Sequence, residues 1–401
     1  MKRRIIKISV FLAVAVLAIL IVVNRRFSVT ELEHEIIQAK TDGKIPAVML
    51  CPMTGDYDYV GEMAAWSAQY AADQINANGG LNGRPIQLII ENTDSDPGQA
   101  KSIADKVKGQ VLFLIGPVTS PEISAVTDDI MDNKILDIGT YSFDDALLAS
   151  APYGVSYMSN SDRGEWECVQ RWLNENPDME RVVIFTDSRD TSKWETAQEM
   201  VKNLSQLGVT VAGTVDISGE TSEQKYMKCA IQALNMKADG YISLLSAQDY
   251  ANILIQLRLR GVEEGRRITG SFSAFTEELI QSAGDSLDGT YIWNKFNPEY
   301  DSDEWNALVE AYRRDHDGNL PLSTTVVDIY DSVMALKVCF DTLDISGEDS
   351  VYDQEAEAIV RWFYNSDEIQ GIQGSYRWEN GEKIKDYEYF VFDGTHPVSI
   401  E

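Results

Sequence analysis

From residue 45 onward, short apolar runs alternate with longer stretches in which apolar residues recur at helical spacing. This alternation is typical of βα units that build a parallel sheet. The predicted strands are Ala47–Met53, Ile86–Glu91, Val111–Gly116, Ile135–Gly139, Arg181–Thr186, Thr210–Ile217, Gly240–Leu245 and Ile268–Ser271. The predicted helices are Gly61–Asn78, Pro97–Lys108, Pro121–Asn133, Glu165–Asn176, Trp194–Leu207, Glu223–Met236 and Ala247–Arg260.

The pattern changes after Gly289. A strand is predicted at Thr290–Asn294, and three helices and two strands follow it. The helices are Ser302–Asp315, Thr324–Leu343 and Tyr352–Asn365, and the strands are Ser375–Trp378 and Tyr387–Phe392. Because Asn-Gly between two strands favours a tight hairpin turn, Asn380-Gly381 is expected to join these last two strands. Such an ending suits closure of a second lobe better than a further βα unit.

Residues 1–26 have a different pattern. The run from Ile8 to Val23 is apolar except for Ser9, four basic residues precede it, and Arg25-Arg26 follow it. A cleaved signal peptide is one interpretation, but no small-residue cleavage site follows the run. We therefore predict an uncleaved signal anchor and transmembrane helix that leaves the body outside the cytoplasm. Residues 27–44, including Thr30–Lys40, are expected to form a short helical or flexible stalk.

Length and charge narrow the class of protein. At 401 residues the chain is too long for one core, which favours two α/β lobes. The net charge of −30 disfavours binding to nucleic acid or to anionic lipid headgroups. Four widely spaced cysteines, without a CxxC motif, are expected to be buried thiols. They are Cys51, Cys168, Cys229 and Cys339.

Sequence signals for catalysis, metals and cofactors are missing from this chain. It has three histidines, and two of them lie in the predicted stalk and near the C-terminus. The sequence contains no GxGxxG, GxxxxGK[ST] or HExxH motif. We therefore predict no enzyme activity, no resident metal and no cofactor.

Five segments together resemble a known family. They are Pro52–Gly55 with Gly61 and the helix ending Asn78-Gly79-Gly80; Asp94–Ala100; Ile115–Ser120; Ile329–Val333; and Gly371–Gly381 with Asp386-Tyr387. In this order and spacing they resemble the type I periplasmic binding proteins, in the branch that binds leucine, isoleucine and valine. The resemblance implies two Rossmann-like lobes with parallel sheets, joined by three crossovers, with a ligand in the cleft between them. It places residues 45–158 and 295–370 in the N-terminal lobe, and 159–294 and 371–401 in the C-terminal lobe.

The resemblance also implies ligand-binding residues in the first lobe. Ser120, with Thr119 and the following helix N-terminus, matches the family's carboxylate site. Pro121 removes an N–H donor there, and Glu122 adds negative charge, so both weaken a carboxylate site. A plain helix N-cap is the alternative interpretation. The loop after the fourth strand contributes Tyr141, Ser142 and Phe143, and the loop after the first contributes Tyr57.

In the second lobe, the resemblance implies contacts from Thr191 or Trp194, from Ser246 and from Phe272. Phe272 stands where the family has the glutamate that pairs with the ligand ammonium. A buried ammonium without a charged partner is costly, so the ligand is expected to differ from a plain α-amino acid. The rings and hydroxyls suit an amide, an aromatic compound or a neutral polar solute. Ordinary core packing is the alternative for each ring.

The main functional hypothesis is a capture subunit that delivers a small molecule to an ABC transporter permease. A membrane-anchored sensing module that works with a signalling partner is the alternative, and an enzyme on the same scaffold is a third. The predicted partners are thus a small-molecule ligand, a permease and, through the N-terminal helix, the membrane. Nucleic acid is not an expected partner.

Overall fold

The computed structural model describes residues 31–400 apart from 142, 220–223, 264 and 322. The predicted anchor, residues 1–26, and the predicted site residue Ser142 lie outside the described residues. Among the helices in the described part, none has the length and apolar character needed to cross a bilayer.

Helices and strands alternate through most of the described chain. The first helix, α1, covers residues 31–41. The other helices are α2 (Asp58–Ala77), α3 (Pro97–Ala104), α4 (Ser120–Asn133), α5 (Asp145–Ser150), α6 (Ser161–Glu175), α7 (Thr191–Gln206), α8 (Lys225–Asn235), α9 (Ala247–Arg258), α10 (Glu277–Ala283), α11 (Asp303–Asp315), α12 (Thr324–Leu343) and α13 (Tyr352–Tyr364). The strands are β1 (Ile45–Cys51), β2 (Ile86–Asn92), β3 (Phe113–Ile115), β4 (Leu136–Gly139), β5 (Gly154–Ser156), β6 (Arg181–Thr186), β7 (Thr210–Asp216), β8 (Gly240–Ser243), β9 (Ile268–Gly270), β10 (Tyr291–Asn294), β11 (Ile369–Gln370), β12 (Ser375–Glu379), β13 (Glu382–Lys385), β14 (Glu388–Asp393) and β15 (His396–Ile400).

The chain divides into two compact units. The described part of the first unit consists of residues 31–158, Thr325–Gly371 and Ser375–Ile384. The second unit consists of Ser159–Thr324, Ile372–Gly374 and the C-terminal residues from Lys385.

Two boundaries differ from the expected lobes. Residues 295–324, expected in the first lobe, cluster with the second unit, where Lys295 Nζ donates to the carbonyl of Ser159 over 2.6 Å. Residues 375–384, expected in the second lobe, cluster with the first unit. Their Trp378 ring packs 4.9 Å from that of Phe363 in α13.

The first unit contains a five-stranded parallel sheet with the order β2-β1-β3-β4-β5. Strand β1 is buried on both faces, as expected for a parallel sheet between two helical layers. Ala47 and Met49 point into a core shared with α2, α12 and α13, whereas Val48 and Leu50 point into a core shared with α3 and α4. The α/β class with parallel sheets is therefore confirmed.

Helix α1 packs on the first unit. Leu32, Ile36 and Ala39 are at most 2% exposed, and Leu32 and Ile36 belong to the same apolar cluster as Val48 and Leu50. The helical form expected for this segment is therefore present at residues 31–41, but the helix packs on the first unit and does not stand apart as a stalk. Leu32, Ile36 and Ala39 are spaced by four and three residues, which gives the helix one apolar stripe that the sheet covers.

The Asn380-Gly381 turn forms a hairpin between different strands from those expected. It joins β12 to β13, and together with β11 these strands form a three-stranded sheet. Strand β14, the expected partner, instead pairs antiparallel with β10 in the second unit. Because Asn380 and Gly381 both have positive φ, they form a two-residue turn that pairs the strands directly on either side of it, and β13 begins immediately after the turn.

The second unit contains a seven-stranded sheet with the order β15-β14-β10-β9-β8-β6-β7. The strands from β6 to β10 are parallel, and β14 and β15 extend the sheet antiparallel. Val183 and Phe185 of β6 face the layer of α8, α9 and α10, while Val182 and Ile184 face α6 and α7. The parallel strands therefore also lie between two helical layers.

Candidate functional site

The carboxyl ends of β1, β3 and β4 lie side by side in the first unit, and we call this the first edge. In open parallel sheets, ligands bind outside the carboxyl ends of the strands. Tyr57 follows β1, Thr119 and Ser120 follow β3, and Phe143 follows β4, so the sheet order brings their loops together. The Thr140 amide donates to the carbonyl of Pro117 over 3.3 Å, which ties the second and third loops together.

The loop after β1 is held by the loop after β2. The Met53 amide donates to Asn92 Oδ1 (3.0 Å), and the Tyr57 amide donates to Ser95 Oγ (3.1 Å). Gly61 allows this loop to fold closely, because a Cβ there would overlap the carbonyl of Pro52. The ring of Tyr57 stays 37% exposed at the first edge. Tyr57 is therefore positioned for a surface contact and does not belong to the core.

Helix α4 begins at the first edge. Its N-cap is Thr119, and the half-buried Ser120 is its first residue. The Thr119 hydroxyl does not cap an amide; it donates to Glu122 Oε2 over 2.5 Å. Glu122 is 1% exposed, and within the described residues its Oε1 has no hydrogen-bond partner. A buried carboxylate therefore lies at this helix N-terminus.

Tyr141 is not at the first edge. It is fully buried, its hydroxyl donates to Asp137 Oδ2 over 2.7 Å, and its ring packs over Gly154. Burial and the neighbouring Asp137 raise the pKa of Tyr141 well above its usual range. The expectation of Tyr141 in an aromatic cleft is therefore not supported, whereas Phe143, two residues later, is 44% exposed.

Two residues close to the first edge were not predicted to take part in it. Tyr157, just after β5, is 1% exposed, and its hydroxyl donates to the carbonyl of Val118 over 3.4 Å. Cys51 ends β1, and its thiol donates to the carbonyl of Gly61 over 3.1 Å. Burial, together with the nearby charge of Glu122, raises the pKa of Cys51 to about 12. This thiol is therefore an inert packing group, and all four cysteines are free and buried as expected.

In the second unit, the carboxyl ends of β6, β8 and β9 are neighbours, and we call this the second edge. Thr191 and Trp194 follow β6, Ser246 follows β8, and Phe272 follows β9. Thr191 is exposed at the start of α7, and Trp194 is half-buried. Ser246 is exposed at the start of α9, with its hydroxyl 3.4 Å from Asp249 Oδ2. The sheet order thus brings all four predicted residues to one edge.

Phe272 is half-buried and packs on other side chains of the second unit. Its ring centroid lies 4.9 Å from that of Trp293, and Lys295 Nζ lies 5.1 Å from the Phe272 centroid. Lys295 is 1% exposed, and its ammonium donates to the carbonyl of Ser159 (2.6 Å) and to Ser161 Oγ (2.8 Å). A buried positive charge is therefore fixed next to the Phe272 ring.

Glu165 lies next to the ring pair of Phe272 and Trp293. Trp293 Nε1 donates to its Oε2 over 2.9 Å, and the Ser271 hydroxyl donates to its Oε1. Burial raises the pKa of Glu165 from 4.5 to about 7, although these two hydrogen bonds favour the ionised form. Both oxygens already accept a hydrogen bond from the protein, so Glu165 is not a substitute for a ligand-pairing acid.

Sequence reasoning missed Glu165 and Lys295. A signal for Glu165 was present, because it shares one helix face with the buried Cys168, Val169 and Trp172 at positions i+3, i+4 and i+7. An acid on an apolar helix face must find partners in the interior. Lys295 directly follows β10 and has no such periodic signal.

A further polar cluster at the second edge was also not predicted. Asp249 Oδ1 accepts from the Tyr226 hydroxyl (2.6 Å) and lies 3.4 Å from Lys225 Nζ. Burial and the hydrogen bond to Asp249 raise the pKa of Tyr226 to about 12. Throughout the described ranges, no group of three or more His, Cys, Asp or Glu side chains is arranged to hold a metal ion.

Comparison with known proteins identifies the family. The model of the periplasmic binding protein family matches residues 44–382. The chain belongs to this family. A Leu/Ile/Val-binding protein of Rhizobium johnstonii is 29% identical over 360 residues, which cover 84% of this chain and 92% of the relative. The Leu/Ile/Val-binding protein of Escherichia coli is 21% identical over 355 residues, covering 87% of this chain and 90% of the relative.

Solved structures share the fold. A branched-chain amino acid ABC transporter ligand-binding protein from Burkholderia xenovorans has a TM-score of 0.72 and 16% identity, over 89% of this chain and 95% of its own. The branched-chain amino acid substrate-binding protein LivJ of Streptococcus pneumoniae, in complex with isoleucine, has a TM-score of 0.65 and 18% identity, over 89% of this chain and 100% of its own. An ABC transporter solute-binding protein from R. palustris, in complex with benzoate, has a TM-score of 0.66 and 16% identity, over 89% of this chain and 96% of its own.

Family membership decides the broad function. The protein is an extracytoplasmic solute-binding protein of the kind that serves ABC transporters, and it captures a small molecule. Members of this family bind ligands without transforming them, in keeping with the expectation that the chain is not an enzyme. The alternative of a sensing module is not favoured by these relatives.

Proposed function

We propose that this protein captures a small neutral solute with an aromatic ring or an amide group and presents it to the permease of an ABC importer. The observation that carries this proposal is Phe272, half-buried at the second edge, where the family resemblance places an ammonium-pairing glutamate. A ring offers a ligand an apolar face and no charge. A phenylalanine at this position, in place of the family's glutamate, therefore favours stacking with a solute over pairing with an ammonium group.

The charge next to Phe272 supports the same conclusion. Lys295 Nζ lies 5.1 Å from the ring centroid, so one positive charge already interacts with this ring. An α-ammonium group brought to the same ring would meet that charge in a largely desolvated setting, where like charges repel strongly. Glu165 offsets little of this repulsion, because burial raises its pKa to about 7 and keeps it partly protonated near neutral pH.

The residues proposed to contact the solute are a subset of those predicted. From the first edge they are Tyr57, Thr119, Ser120 and Phe143, and from the second edge Thr191, Trp194, Ser246 and Phe272. Tyr141 is left out because it is fully buried against Asp137. Ser142 remains a sequence prediction.

Membrane anchoring is a separate part of the proposal. The apolar run from Ile8 to Val23 is flanked by basic residues and lacks a small-residue cleavage site after it. We propose that this run stays attached and holds the protein at the outer face of the membrane, where the permease also lies.

Isothermal titration of the purified full chain tests the proposed solute class. The panel comprises benzamide, phenylacetamide, benzoate, phenylalanine and leucine. We expect the neutral amides to bind most tightly, and Phe272→Ala to weaken their binding about tenfold or more through lost ring contact. Leu259→Ala is the matched control, because Leu259 is a 72% exposed apolar residue at the end of α9 in the same unit.

Two results would contradict the proposal. Tightest binding of leucine, isoleucine or valine would mean that the specificity named for the relatives has survived the loss of the acid. Unchanged amide affinity in Phe272→Ala would show that the Phe272 ring does not contact the solute.

A further inference from the structure

We propose that Glu122 is a specificity-determining residue, whose buried carboxylate makes the first edge reject solutes that carry a carboxylate group. This inference rests on the proposed function, because it takes the first edge as part of the solute site. It goes further in assigning a selective role to one residue, and that role is opposite to the usual preference of a helix N-terminus for anions.

The position of Glu122 is set by the first turn of α4. Thr119 is the N-cap and Ser120 the first residue of this 14-residue helix, so Glu122 is its third residue. The Thr119 hydroxyl holds Oε2 at 2.5 Å, which keeps the carboxylate at the helix N-terminus. Glu122 is 1% exposed, and Oε1 has no hydrogen-bond partner within the described residues. The carboxyl group is thus held in place and desolvated, and within the described residues no basic side chain forms an ion pair with it.

The helix offers few donors to an anion. Pro121 has no N–H group, and the Ile123 amide already donates to the carbonyl of Thr119 over 3.0 Å. At most the amides of Ser120 and Glu122 remain in the first turn. An α-helix N-terminus carries roughly half a positive charge, whereas a carboxylate carries a full negative one. The net charge at this end of α4, from the helix dipole and the carboxylate together, is therefore negative.

Burial makes this negative charge effective. Exposed charges are screened by water and salt, but a buried charge acts through a medium of low dielectric constant. A solute carboxylate near Thr119 and Ser120 would meet Glu122 within the same helix turn. A neutral amide avoids this repulsion, and its N–H groups are attracted by the negative charge. The first edge thus discriminates between an amide and the acid of the same shape.

Matched amide and acid pairs test this role in the full chain. We would titrate benzamide against benzoate, and phenylacetamide against phenylacetate, into the wild type and into Glu122→Gln. Glutamine keeps the size of the side chain and an oxygen that accepts from Thr119. We expect the wild type to prefer each amide, and Glu122→Gln to shift the acid-to-amide affinity ratio about 10- to 100-fold towards the acid.

The control is Asp128→Asn, which removes the same charge from an exposed position of α4. We expect the affinity ratio in this variant to stay within about twofold of the wild type, because the charge there is screened. Thermal unfolding of all three proteins verifies that each is folded.

The outcomes separate this inference from the proposed function. If the wild type binds acids as tightly as amides, or if Glu122→Gln leaves the ratio unchanged, the role of Glu122 is refuted while solute capture stands. An equal shift in Asp128→Asn would also refute it, because the effect would then come from overall charge. If none of the four solutes binds the wild type or Glu122→Gln, the proposed solute class fails and the inference fails with it.

Discussion

At the scale of single residues, burial decides what each polar group can do. Glu165 and Glu122 are both buried acids near carboxyl ends of strands, but their surroundings differ. Both oxygens of Glu165 accept hydrogen bonds from Trp293 and Ser271, whereas one oxygen of Glu122 has no partner within the described residues. Glu165 is therefore a structural group with a raised pKa, whereas Glu122 keeps the unpaired oxygen that its proposed selective role requires.

The raised pKa of Glu165 predicts a pH dependence of stability. Its pKa is about 7 in the folded protein against an ordinary value of 4.5. Between these values the folded state binds more protons than the unfolded state, so the contribution of this group to stability falls as pH rises from about 4.5 to 7. By about pH 8 the loss is nearly complete and amounts to about 3 kcal/mol.

Glu165→Gln should remove this loss. Glutamine can accept from Trp293 and donate to Ser271, so its hydrogen bonds are retained. Relative to the wild type, we expect the variant to have a free energy of unfolding that is similar at pH 5 and higher at pH 8. Urea unfolding at both pH values measures the difference, and a pH-independent difference would show that Glu165 does not titrate in this range.

Single positions were the least predictable part of the site. Tyr141 and Phe143 lie two residues apart in one loop, and the sequence placed both in an aromatic cleft. In the structure, Tyr141 is fully buried against Asp137 and Gly154, whereas Phe143 is 44% exposed. An aromatic residue satisfies either environment, so its type alone cannot decide between them.

At the scale of helices and strands, most elements of the fold could be predicted from the sequence. The apolar runs predicted β6 at Arg181–Thr186 as the structure has it, and the helical spacing predicted α12 at Thr324–Leu343. Short strands such as β5, with three residues, were missed because a three-residue run has no measurable period. The Asn380-Gly381 turn was predicted correctly, but its second strand was not, since turn chemistry fixes a reversal and not the partner sheet.

Helix α1 provides a test of packing at this scale. Ile36 is 1% exposed in a core with Val48 and Leu50, whereas the adjacent Ile37 is 61% exposed. We expect Ile36→Ala to lower the free energy of unfolding by about 2 to 5 kcal/mol through lost burial and an unfilled cavity. Ile37→Ala is the matched control and should change it by no more than about 0.5 kcal/mol. Similar losses in both variants in a urea titration would mean that α1 does not pack as described.

At the scale of the whole molecule, the net charge and the N-terminal apolar run have opposite effects on membrane binding. The net charge of −30 and the pI of about 4.4 disfavour contact with anionic membranes, whereas the run from Ile8 to Val23 favours insertion into any bilayer. Membrane attachment should therefore depend on the run alone.

Flotation with vesicles checks this dependence. We expect the full chain to float with both phosphatidylcholine and phosphatidylserine vesicles, and to stay bound at high salt. A variant that starts at residue 31 should remain at the bottom of the gradient in both cases. Flotation of that shorter variant would show that the folded body itself binds lipid, and failure of the full chain to float would refute the anchor.

The packing of α1 on the first unit has a consequence for how the protein meets its permease. Counting from the end of the basic pair Arg25-Arg26, only residues 27–30 precede the helical residues 31–41, and four residues span at most about 14 Å. With the proposed anchor in place, the first unit is tethered close to the bilayer. Its search for the permease is then confined to two dimensions, and a captured solute is carried along the membrane surface instead of being lost to the surrounding fluid.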